Sequence, residues 1–353
     1  MKRWLRLGRI VPVFGLMMLG LMGCGDPSMS ALQPQGKGAD AVFDLMILSL
    51  VIMIVVLVVV FILFTYVLIK FRKRKGDDSI PEQVEGNHLL EVLWTAIPIV
   101  LLLILAVPTV ITTFDLAVSE KSAEKSASAA DGEEAKEEGP MTVKVTAHQF
   151  WWEFEYPELG VVTAQELYLP VDKKTNIDLS SADVLHSFWV PAISGKMDTN
   201  PGDKLVNKMW MHPTETGTFQ GACAELCGDA HALMYFKVKV VEQEEFDAWI
   251  ESMKQVKFAE ASSDVAEGQK IFENNCLQCH AVGDKGGKVG PALTGFGDNE
   301  KVAGILDHTK ENIMKWINNP QDVKPGNNMP DFNLDEPQLD ALADYLLELK
   351  TAE

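Results

Sequence analysis

The chain has 353 residues, enough for two or three domains, and its 47% hydrophobic and 23% charged residues exclude a disordered or collagen-like polymer. The net charge of −19, from 31 Lys+Arg against 50 Asp+Glu, argues against nucleic acid as a partner, because phosphate binding is carried by basic surface. The basic residues concentrate near the N-terminus: residues 1–75 hold ten Lys/Arg against three Asp/Glu, so everything after them is strongly acidic.

In chain order, Lys2, Arg3, Arg6 and Arg9 precede a short apolar stretch, Ile10 to Met22, which is too short to span a bilayer and suits a signal-peptide core over residues 1–23. Leu21-Met22-Gly23-Cys24 resembles a bacterial lipoprotein cleavage box, which implies that Cys24 is lipidated and becomes the new N-terminus; an ordinary secretory signal with an incidental cysteine is the alternative. Residues 24–119 then hold two membrane helices. Leu45 to Ile69 carries no charge and is long enough to cross about 30 Å of hydrocarbon. Lys70, Arg72, Lys73, Arg74 and Lys75 follow and are placed inside by the positive-inside rule. Val92 to Phe114 returns the chain outward, with Pro98 and Pro108 pointing to partner helices that re-satisfy freed carbonyls. Residues 120–139 are charged, low in complexity and unable to bury a core, which makes them a linker.

Residues 140–256 change to short alternating segments, such as Thr142-Val143-Lys144-Val145 and Phe236-Lys237-Val238-Lys239-Val240, separated by Pro, Gly and Asp; this pattern predicts a β-sandwich closed by an amphipathic helix. Within it, Cys223, Cys227, His231 and Met234 lie inside a dozen residues. Two thiols, an imidazole and a thioether select copper over magnesium or calcium, and the thioether disfavours zinc. His186, on an upstream segment, is the best second imidazole. His88, His148, His212 and His308 have no ligand-like neighbours and read as surface or hydrogen-bonded side chains.

Residues 257–264 form a short linker and residues 265–353 a last domain. Cys276-Leu277-Gln278-Cys279-His280 is a C-x-x-C-H signature for covalent haem c, with two thioether bonds and an axial imidazole. Asn328-Met329-Pro330 supplies a thioether further on, and Met314 is the alternative. A thioredoxin-type redox pair does not suit the site, because no βαβ pattern surrounds it.

The spacing C-x-E-x-C-x-x-x-H-x-x-M from Cys223 to Met234, with Asp183-Val184-Leu185-His186-Ser187 upstream, resembles the binuclear copper site (CuA) of the cytochrome c oxidase subunit II family. Glu91-Val92-Leu93-Trp94-Thr95-Ala96-Ile97-Pro98 is similar to that family's second membrane helix, and residues 265–353 resemble a class I cytochrome c. The resemblance implies a multi-domain chain: a two-helix transmembrane hairpin, an all-β cupredoxin-like sandwich and an all-α cytochrome c domain. It implies Cys223 and Cys227 as bridging thiolates, His186 and His231 as one imidazole per copper, Met234 as a weak ligand and Glu225 as a carbonyl ligand, the Glu225 side chain reaching a magnesium ion. His280 and Met329 would be the haem's axial ligands, with the Pro291 carbonyl supporting His280. An aromatic patch receives electrons in the family; here Phe150 follows Gln149 where the family has Trp, so Phe150, Trp151 and Trp152 are all candidates. Glu91 would admit protons toward subunit I. The implied partners are oxidase subunit I, other membrane subunits, and a cytochrome c or quinol:cytochrome c reductase as donor. The implied location is the bacterial cell membrane, with both redox domains on its outer face. A copper carrier and a donor to a nitrogen-oxide reductase are alternatives: the first lacks a reason for the haem domain, the second for the two-helix anchor.

Overall fold

Inward and outward side chains alternate along the strands of residues 140–241, as a sheet with one buried face requires. In β1 (Thr142–His148) Val143, Val145 and Ala147 face the core; in β2 (Trp151–Tyr156) Trp152, Phe154 and Tyr156 do, while Lys144 and Glu155 pair outside. The remaining strands are β3 (Val161–Ala164), β4 (Glu166–Pro170), β5 (Thr175–Ser181), β6 (His186–Trp189), β7 (Lys196–Thr199), β8 (Asn207–Met211), β9 (Gly217–Cys223) and β10 (Tyr235–Val241). They form two five-stranded sheets, ordered β3-β2-β1-β5-β8 and β4-β10-β9-β6-β7, with β1·β5 and β4·β10 parallel and the other pairs antiparallel. This is the cupredoxin-like sandwich. Its core joins Trp152, Phe154, Phe188 and Phe236, all wholly buried, and each such side chain contributes about 1.5–3 kcal/mol. Helix α3 follows those helices that come before it in the chain, α1 (Lys37–Lys70) and α2 (His88–Leu116); it spans Gln243–Gln255 and closes the sandwich with Phe246, Ile250 and Met253.

The computed structural model describes residues 25–73, 76, 80, 83, 85–117, 140–202, 205–258 and 262–351. Cys24, the signal segment and the 120–139 linker lie outside the described residues.

Helix α1 begins eight residues before the uncharged run starts, and the reason is a docking contact. Gln35 N–H donates to the Ala192 carbonyl (2.6 Å), Thr214 N–H to the Gln35 carbonyl, Lys37 N–H to the His212 carbonyl and Ala39 N–H to the Ile193 carbonyl, so the first turn, with Gly38 and Ala39 buried, is sewn into the sandwich. Further along, both helices expose apolar side chains over their whole length, and α2 holds Pro98 and Pro108 inside it.

The C-terminal domain packs α4 (Ala266–Asn275), α5 (Lys310–Asn318), the short α6 (Pro320–Val323) and α7 (Glu336–Leu347) around Phe272, Ile313, Leu342 and Tyr345. Helices α4 and α7 cross at Gly268, where a Cβ would overlap the Ala341 carbonyl oxygen. A capping box of Asp335 and Gln338 starts α7.

Candidate copper and haem centres

His186 opens β6, Cys223 ends β9, and the loop from 224 to 234 carries Glu225, Cys227, His231 and Met234 before β10. The loop is closed at its base, since Cys223 N–H donates to the Met234 carbonyl (3.0 Å) and Ala224 N–H to the Ser187 carbonyl (2.9 Å). That closure turns donors from three elements onto one point. The Sγ atoms of Cys223 and Cys227 lie 3.8 Å apart. Cys223 Sγ is 3.9 Å from His186 Nδ1 and 3.2 Å from the Glu225 carbonyl. Cys227 Sγ is 3.6 Å from His231 Nδ1 and 3.7 Å from Met234 Sδ. All six residues named for the site by sequence are therefore adjacent. Among the described residues, His186, Cys223 and Cys227 form the group whose ligand atoms lie within 4.8 Å of one another.

Electrostatics suits a soft cation. Contact with Cys227 holds the Cys223 thiol well below its ordinary value, and the same contact pushes the Cys227 thiol up, so the two sulfurs share one proton. Asp183 orients the His186 ring by accepting from Nε2 (2.9 Å), which leaves Nδ1 toward the sulfurs. Burial opposes protonation of His186, but the bonds to Asp183 and Cys223 outweigh it and raise its pKa. Asp183 is itself fixed by the backbone N–H groups of Gln149 (2.7 Å) and Val184 (2.6 Å). Two buried sulfurs, two imidazoles, a thioether and a carbonyl fit copper.

The second centre begins where α4 ends. Cys276 is buried, His280 N–H donates to the Cys276 carbonyl (3.0 Å), and His280 Nδ1–H donates to the Pro291 carbonyl (2.8 Å), leaving Nε2 as the free ligand atom. His280 lines a cleft of ≈ 190 Å³ together with Met329 and Trp316. Met329 is held there by its N–H to Asn327 Oδ1 (2.8 Å), whereas Met314 does not line the cleft. Two thiols, a freed imidazole nitrogen, a thioether and a largely apolar cleft fit a covalently held haem.

The other wall of that cleft belongs to the sandwich. His148, Gln149, Phe150 and Trp151 line it. Trp151 stacks on His148 (4.0 Å between centroids) and Phe150 is buried at the seam, but Trp152 lies inside the core between Phe188 and Phe236. Of the three aromatic candidates, Trp152 thus does not reach the cleft. Among the described residues, His148 Nε2 and both His308 ring nitrogens are buried without a hydrogen-bond partner, and His308 packs on Phe296. Glu91 sits in the first turn of α2, far along the chain from both centres, and faces His88 at 3.8 Å. In the sequence, Asp183 and Gln149 stand out only as neighbours of other residues, with no role of their own, and Lys324 does not stand out at all. Asp183 carried a signal, three residues before His186; a lysine in a polar loop such as Lys324 carries none.

A two-helix membrane anchor, a sandwich with a sulfur-rich metal loop and a C-x-x-C-H helical domain define a membrane-bound electron-transfer protein. Residues 29–111 match the transmembrane domain and residues 159–241 the periplasmic domain of cytochrome c oxidase subunit II, and residues 265–350 match cytochrome c. The chain is 48% identical to cytochrome c oxidase subunit 2 of Bacillus sp. (strain PS3), over 97% of each chain, and 44% identical to that of Alkalihalophilus pseudofirmus, over 100% of each. It is 36% identical to the periplasmic domain of subunit II of the Bradyrhizobium japonicum cytochrome oxidase, a crystal structure, covering 32% of this chain and 91% of that one at a TM-score of 0.30. The chain belongs to the cytochrome c oxidase subunit II family and carries a cytochrome c domain at its C-terminus. It is thus a membrane protein with a periplasmic domain, a subunit of cytochrome c oxidase alongside other subunits, and its domains imply haem c and copper.

Proposed function

We propose that electrons reach this subunit at a haem fixed by Cys276 and Cys279 and ligated by His280 and Met329, and leave through a binuclear copper centre for subunit I. The copper ligands are Cys223, Cys227, His186, His231, Met234 and the Glu225 carbonyl. The observation that carries the reading is the pair of buried sulfurs 3.8 Å apart with an imidazole beside each. Cys223 and Cys227 would hold the copper pair as thiolates, and a pair so held would spread one electron over both metals. The protein's part is rigidity: the loop is tied at its base, His186 is locked by Asp183, and the donor set leaves a substrate no vacant position. Dioxygen reduction belongs on subunit I.

Several finer assignments accompany this reading. The donor is a cytochrome c or a quinol:cytochrome c reductase, the Glu225 side chain contacts magnesium at the subunit I boundary, and Glu91 admits protons from the inner side. Cys24 carries the lipid that adds to the two-helix anchor in the bacterial cell membrane. Replacing Cys227 with Ser is expected to abolish dioxygen consumption by the assembled oxidase while the covalent haem stays reducible. Unchanged respiration, or a single zinc in place of two coppers in the purified complex, overturns the assignment.

A further inference from the structure

The loop that brings Met329 to the haem cleft also lies on the copper loop. Lys324, at its start, is 2% exposed, and its Nζ donates to the Phe150 carbonyl across the domain seam at 2.8 Å. Two residues later, Gly326 abuts both Asp229 of the copper loop and the Phe150 ring. On the sandwich side, Phe150 packs against Gly228, where a Cβ would come within 3.0 Å of its ring. Gly228 has φ +135°, so glycine is required there twice over, by backbone and by space. Gln149 completes the connection: its Nε2 donates to the carbonyl of Cys227 at 2.6 Å. A continuous chain of short contacts therefore runs from the Met329 loop through Lys324, the Phe150 carbonyl and the Gln149 amide to a bridging sulfur residue.

We propose that Lys324 is a positioning residue that seats the cytochrome domain on the Gln149–Phe150 segment, and that this seat is the coupling contact between haem and copper. The inference rests on the haem and copper assignments above and goes beyond them by naming the contact that sets their separation. A lysine buried with one carbonyl partner is an unusual arrangement, because burial strips the amine of water. That burial pushes the Lys324 amine down to about 7, and in either protonation state it supplies the N–H that the buried Phe150 carbonyl needs. A second contact keeps the seat from pivoting: Glu300 N–H donates to Glu166 Oε1 (2.7 Å), and Lys239 bridges both carboxylates. No bond changes in the step itself; the one electron lost by the haem is the one gained by the copper pair.

The test compares Lys324→Glu with Lys324→Gln in the assembled oxidase, following transfer from photoreduced haem to copper by absorbance. The glutamine keeps a donor for the Phe150 carbonyl; the glutamate places an acceptor against it. Losing one buried hydrogen bond and gaining a repulsion lowers the docked fraction, and with it the transfer rate, by about tenfold or more in the Glu variant, with the Gln variant within about twofold of the parent. Haem and copper content and the haem potential measured in the same samples stay at parental values on unfolded-free material. A parental rate in Lys324→Glu, or an equal loss in Lys324→Gln, overturns the inference. Absence of covalent haem or paired copper in the parent overturns the underlying assignment instead. Should the Glu variant fail to assemble, Gln149→Leu leaves Lys324 in place and removes the amide link to Cys227: slower transfer supports the proposal and an unchanged rate overturns it.

Discussion

Asp183 fixes the orientation of His186. Its carboxylate accepts from Nε2 and is pinned by two backbone N–H groups, so the imidazole has one orientation and one tautomer. Asp183→Ala is expected to lower copper affinity about 10–100-fold with the sandwich still folded, read by competition against a copper chelator. The difference between what could and could not be read in advance is plain at this scale. Cys223, Cys227, His231 and Met234 are close in sequence because one loop must present them, and Cys276, Cys279 and His280 because one haem edge must meet them. Lys324 and Phe150 meet across 174 residues of chain, and no local pattern records that. Trp151 and Trp152 differ only by strand phase: alternation along β2 sends Trp152 into the core and leaves Trp151 at the cleft.

Helix packing in the cytochrome domain turns on one small residue. Gly268 lets α4 lie against the Ala341 carbonyl of α7, and the same crossing brings Phe272 to Tyr345, 5.4 Å between ring centroids. Gly268→Leu forces the helices apart and is expected to destabilise the domain by about 1–3 kcal/mol, seen as a lower unfolding midpoint of the haem absorbance. Periodicity announces these helices, because amphipathic faces repeat every turn: the pattern predicts helices over 268–275 and 339–349, against the observed Ala266–Asn275 and Glu336–Leu347. Periodicity does not announce the start of α1. Hydropathy marks only the stretch that lipid surrounds, while the turn from Lys37 to Asp40 is helical because the sandwich receives it.

The two redox domains behave as a unit because polar contacts flank the cleft between them. Lys239 is central to one side: burial works against its charge, but Glu166 and then Tyr168 outweigh that and raise its pKa above the ordinary lysine value. A raised amine stabilises the contact fully below the unfolded value of about 10.4 and loses that contribution as pH climbs through the folded value. Denaturation midpoints measured against pH are therefore expected to fall above about pH 10.4 in the parent, with Lys239→Met lacking that share of the alkaline loss.

Helix α1 also acts over the whole molecule. At 34 residues it is about 51 Å long, well beyond the roughly 30 Å of a hydrocarbon layer, and its first turn is bonded at Ala39 to the segment just after the strand that begins with His186. A rod clamped at its head cannot lean independently. Any thinning of the surrounding lipid that tilts it must swing the metal-bearing head through the same arc, so lipid thickness becomes a mechanical input to how the subunit presents its metals to its neighbour.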